Sequence, residues 1–141
     1  MARVINTANP GKIRSQQRRT IAEILRHLMF KRKIDEEAKD MAAALVYSLR
    51  AISETIEVST TAWEKRNYYL KADRFRLEWE WTEIEAERLQ EIILSDRWQE
   101  LPAALVNLAS HFADVRIIKM TRKPEAWKAS YRLLIEESKR K

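Results

Sequence analysis

A chain of 141 residues, 45% hydrophobic and 34% charged, has the size and balance of one globular domain that hides roughly two-thirds of its unfolded surface. It contains no cysteine, which excludes disulfides, thiolate nucleophiles and cysteine-based zinc sites. With only His27 and His111 to act near neutral pH, and no apolar run of the roughly 18 residues a spanning helix requires, neither an enzyme nor a membrane protein is expected.

Taken in chain order, the opening M-A-R-V-I-N-T-A-N-P-G-K lacks the apolar segment of a signal peptide, so a cytoplasmic location is expected. Residues 1–11 read as a flexible N-terminal arm ending at Pro10-Gly11, and residues 12–141 as one helical bundle domain. Gly11 is the only glycine, and no proline falls between Pro10 and Pro102. Residues 12–101 therefore lack any strong breaker, which argues for long helices and leaves no glycine-rich phosphate loop. The expected fold class is all-α: a single-domain bundle of four to five helices with a long central aromatic-rich helix.

The spacing of Ile21, Ile24, Leu25 and Leu28 predicts a first helix over residues 12–31. Asp35 is the natural N-cap of a second, with Glu36 and Glu37 in its first turn and Met41, Leu45, Leu49, Ile52 and Ile56 as its core stripe. At Ser59-Thr60-Thr61 this helix either ends, with Thr61-x-x-Glu64 as the capping box of the next, or runs on.

The stretch A-W-E-K-R-N-Y-Y-L-K-A-D-R-F-R-L-E-W-E-W, residues 62–81, holds three of the five tryptophans. On a helix, Trp63, Leu70, Leu77, Trp81 and Ile84 share one face, while Tyr68, Ala72, Phe75, Trp79 and Ala86 gather opposite. Two apolar faces mark a central helix packed on both sides, with Trp63 and Trp81 in the core. Two alternatives stand beside this. Phe75, Leu77, Trp79 and Trp81 alternate with charge as in a strand, or one of the two faces is left exposed as a binding surface. Further on, Ser95-Asp96 is the expected cap of a helix through Trp98, Leu101, Leu105, Leu108, Phe112 and Val115. Residues 115–120 read as extended, and Pro124 opens a last helix carrying Trp127, Tyr131, Leu134 and Ile135.

The net charge of +6 is unevenly spread: nine Lys/Arg against one acid in residues 1–33, nine against seventeen in 34–115, and nine against three in 116–141. Basic termini lying beside an acidic middle would account for this without a ligand. In the first helix, however, Lys12, Arg19, Arg26 and Lys33 recur every seventh residue opposite the apolar face. Phe30 projects within that stripe, and Arg14 and Arg18 flank the apolar side, from which they can reach around. A basic stripe containing an aromatic residue is the footprint of a phosphate-backbone binder. No helix-turn-helix, zinc-finger or RNP motif accompanies it, so the expectation is sequence-tolerant nucleic-acid binding. The alternative is a protein-interaction or self-assembling module that uses an exposed aromatic and acidic face, its partner an acidic protein or a second copy. No cofactor or metal is expected. The pairs Glu23/His27 and His111/Asp114 are the only candidate ligands, no Glu-x-x-His is present, and the glutamates from Glu78 to Glu91 follow the pattern of a solvated face.

Overall fold

The computed structural model describes residues 9–140, and among them there are six α-helices, three short 3-10 turns and no strand. The all-α bundle is thus the fold. Helix α1 (Pro10–Met29) starts two residues earlier than its apolar pattern suggests. Asn9 accepts from the Lys12 N–H through its side chain, and Pro10 stands where a missing N–H costs nothing. Pro10 and Gly11 therefore belong to the helix, while residues 1–8 of the expected arm lie outside the described residues.

Helix α2 (Glu36–Lys65) is the long central element. Asp35 caps it by accepting from the Ala38 N–H at 2.8 Å, and Met41, Leu45, Leu49, Ile52 and Ile56 are all buried, as are Ala42, Ala43 and Ala44. It runs on through Ser59-Thr60-Thr61 because Thr60 turns its hydroxyl back onto the Ile56 carbonyl, so the capping box at Thr61 goes unused. It stops at Lys65, where Asn67 takes a left-handed conformation (φ 66). The Asn67 N–H bonds to the Glu64 carbonyl and the Tyr68 N–H to that of Trp63, the Schellman closure in which asparagine replaces the usual glycine.

Helices α3 (Tyr69–Trp79) and α4 (Trp81–Leu94) follow, divided only at Glu80, whose own dihedrals are helical (φ −63, ψ −22). Phe75 to Trp81 is therefore helix, not strand. Together α3 and α4 run antiparallel to α2, with Arg76 on Glu64 at one end, Thr82 on Ser53 in the middle, and Arg50 bonded to Gln90 at the other. Ala72 and Ala86 are buried and Phe75 and Trp79 half-buried, so that face meets the bundle; Trp63 and Trp81 are only half-buried, and Leu70, Leu77 and Ile84 are exposed. The core assignment of Trp63 and Trp81 is corrected accordingly: Trp63, on the last turn of α2, lies against Phe75, and Trp81 packs on the edge of the core against Phe112, both only half-buried.

A second Schellman closure ends α4, with Asp96 left-handed at φ 54 and the N–H groups of Asp96 and Arg97 on the Ile93 and Ile92 carbonyls. Asp96 thus closes the helix behind it instead of capping the one ahead. Helix α5 (Leu101–Ala109) buries Leu101, Ala104, Leu105 and Leu108 against α1 and α4. Residues 113–123 form an irregular strap, and Pro124 opens a 3-10 turn in place of a helix. The left-handed Ala129 (φ 63) then leads into α6 (Ser130–Lys139). Asp40 accepts from the Tyr131 N–H, and Tyr47 bonds Glu137 through its hydroxyl, so α6 lies along the first half of α2.

Candidate functional site

The arginines of α1 project toward different partners. Near its start, Arg14 donates from Nε to Thr55 Oγ1 at 3.2 Å and lies over the rings of Phe75 and Trp79 at 5.0 and 5.6 Å. Burial pushes its pKa down. Arg18 grips both carboxylate oxygens of Asp114, at 2.6 and 2.9 Å, donates to the His111 carbonyl, and covers Phe112. These two side chains belong to an aromatic ladder that runs Trp63, Phe75, Trp79, Trp81 and then to His111 and Phe112. Within it, Trp81 stacks flat on His111 at 3.8 Å. Cations over aromatic faces stabilise such a spine, and the tryptophan-rich stretch serves mainly to knit α2, α3, α4 and the end of α5 together.

Farther along α1 the arginines meet the strap. Glu23, the only acid among the first 33 residues, is buried there and accepts four hydrogen bonds. Arg19 Nε donates at 2.7 Å, the Thr121 N–H and hydroxyl at 2.5 Å each, and the Arg122 N–H at 2.9 Å. Burial pushes the Glu23 carboxyl up. The bonds from the Thr121 hydroxyl, from Arg19 and from the Arg122 and Thr121 N–H groups outweigh it and bring the pKa down to about 2. Arg19 also donates to the Arg116 carbonyl and Arg26 to the Ile117 carbonyl at 2.5 Å, while Arg122 reaches back to Thr20 and the Gln16 carbonyl.

The strap is thus laced onto α1 by guanidinium groups resting on carbonyls, contacts that fix Arg26 in place without neutralising it. At this seam Arg26, Arg116 and Lys119 have no carboxylate partner among the described residues, nor do Arg32, Lys33 and Lys123, which lie next to its segments in sequence. Phe30 and Ile118 stand out from it, 80% and 83% exposed, and a shallow hollow of about 350 Å³ lies between them, walled by Arg26, Lys31 and Lys119.

The stripe expected from sequence is therefore divided. Arg19, Arg26 and Phe30 reach the seam. Lys33 lies in the loop beyond α1, since the helix ends at Met29 and its sevenfold register stops there. Lys12 lies at the opposite end of α1, about 20 Å away at 1.5 Å per residue. It lines an open groove of about 1230 Å³ between α1, α2 and the α3–α4 junction. Sequence reasoning missed Arg116, Lys119, Arg122 and Lys123. The one available signal was the lone Glu23 among nine cations.

Among the described residues no group of three His, Asp or Glu could hold a metal. His27 sits 3.7 Å from Glu37, and Glu23 is spent on the strap. No helix of the described residues is long and apolar enough to cross a membrane. No family model, no curated protein and no solved structure matches the chain.

Proposed function

We propose that the protein binds nucleic acid in a sequence-tolerant way, at the basic seam where the second half of α1 meets the strap. The observation that supports this is the set of cations at the seam, Arg26, Arg116 and Lys119, that have no carboxylate partner among the described residues. A phosphate backbone supplies the missing countercharge and releases its own counterions on binding. Lysine and arginine contacts of this kind position a strand without reading bases. Phe30, almost fully exposed beside them, offers a ring on which an unpaired base stacks. Arg14 and Arg18 act in this account as structural residues, since their guanidinium groups are turned onto Thr55 and Asp114.

The test is a fluorescence-anisotropy titration with random-sequence oligonucleotides at about 50 mM salt, a concentration at which phosphate contacts bind strongly. Saturable binding is expected, weakened several-fold by Arg116→Ala combined with Lys119→Ala, and unchanged by Lys12→Ala at the far end of α1. Equal loss from Lys12→Ala, or no binding to any oligonucleotide, would remove the seam as the site.

A further inference from the structure

A second surface stands apart from the basic seam, on the outer side of α3 and α4. Leu70, Leu77 and Ile84, 64%, 68% and 55% exposed, are spaced by seven residues, which on a helix puts them in one line. The helical dihedrals of Glu80 carry that line across the junction. The charges beside it are arranged symmetrically about Leu77: Arg74 lies three residues before it and Glu80 three after it, each about 60° off the line. Among the described residues Arg74 and Glu80 have no side-chain partner, whereas Lys71 and Glu83 turn back to Trp63 and Arg50 of α2. Leu77 and Glu80 also form part of the rim of the large groove, so the line borders open surface along its length.

We infer that this face docks a second copy of the same chain, the two α3–α4 arms lying antiparallel across a two-fold axis at Leu77. The charge pattern decides both partner and direction. In an isologous contact, a residue a given number of positions before the axis faces the residue the same number after it on the other copy. Leu77 then meets Leu77 once, on the axis, while Leu70 meets Ile84 and Arg74 meets Glu80 twice each. A parallel pairing in register would instead oppose Arg74 to Arg74 and Glu80 to Glu80, and like charges across a contact reject that arrangement. Apolar contacts on the axis with cation–carboxylate pairs on either side are the anatomy of a two-fold helix contact. This surface is independent of the basic seam, and its test does not involve nucleic acid.

Sedimentation equilibrium of the full chain over a wide concentration range should show a monomer–dimer equilibrium, with Leu77→Glu raising the dissociation constant by at least about tenfold. Arg74→Glu and Glu80→Arg should each weaken self-association, because each places like charges opposite one another twice. An equimolar mixture of those two variants should restore dimers at or above the wild-type level, since every 74–80 pair in the mixed dimer is then of opposite sign. Circular dichroism of all three variants should match wild type, as none of the altered side chains is buried. A chain that stays monomeric throughout, a dimer indifferent to Leu77→Glu, or a mixture no stronger than its components would each overturn the inference.

Discussion

Glu23 gathers donors from its own helix and from residues 98 and 99 positions away, and its titration carries a stability consequence. Its folded pKa of about 2 lies below the ordinary glutamate value of 4.5. The stability it contributes is therefore fully present above about pH 4.5 and is lost as pH falls toward 2, on the order of 3 kcal/mol for a displacement of this size. Asp35, capped on the Ala38 N–H, is displaced in the same direction, as are Glu37, Glu64 and Asp114, bonded by Lys31, Arg76 and Arg18. Denaturant titrations between pH 7 and pH 3 should show a steep acid loss that Glu23→Gln flattens. At neutral pH the same variant should cost on the order of 3–5 kcal/mol, as breaking a buried charged network does; an unchanged midpoint would mean the strap is not held by this carboxylate. Sequence alone paired Glu23 with His27 because helical spacing shows only neighbours four residues away. The partners that matter come from a segment without periodicity.

At the scale of elements, the apolar repeat of Met41 to Ile56 and the cap at Asp35 were legible because both are local: burial period and the first free N–H groups are written in adjacent residues. Helix ends were less so. In a chain with one glycine, Asn67 and Asp96 occupy the left-handed closing positions that glycine usually takes. Asp96 was thus open to misreading as the cap of the next helix. Replacing Asn67 by Val should cost about 1–2 kcal/mol in chemical denaturation, because a β-branched residue is strained at φ 66, whereas Asn67→Gly should be close to neutral. Equal effects of the two would mean that the closure after Lys65 does not depend on backbone conformation. The aromatic stretch was read as one central helix with two apolar faces, but the closure at Asn67 splits it, leaving Trp63 on α2 and starting α3 at Tyr69. Which face stays outside is set by α2, and no spacing within residues 62–81 encodes that.

Across the whole molecule, the basic, acidic, basic order of the chain folds only in part into cancelling pairs, such as Arg18 on Asp114 and Lys31 on Asp35 and Glu37. The strap brings the third segment onto the first, so Arg116 and Lys119 join Arg26 at one end, while Glu83 and Glu87 of α4 face Arg50 of α2 and Asp73 faces Arg76 within α3. The uneven charge was visible in sequence. Its concentration into one seam was not, since that depends on Glu23 and three arginine–carbonyl contacts about a hundred residues apart in sequence. The most direct measurement of the central claim is the salt dependence of oligonucleotide binding for wild type and for single variants Arg26→Ala, Arg116→Ala and Lys119→Ala. If these side chains contact phosphates, log K falls linearly with log salt, and each substitution lowers the magnitude of the slope by roughly 0.7–0.9, the value for one phosphate contact. A binding constant that does not vary with salt, or slopes identical in wild type and all three variants, would contradict a phosphate-binding seam.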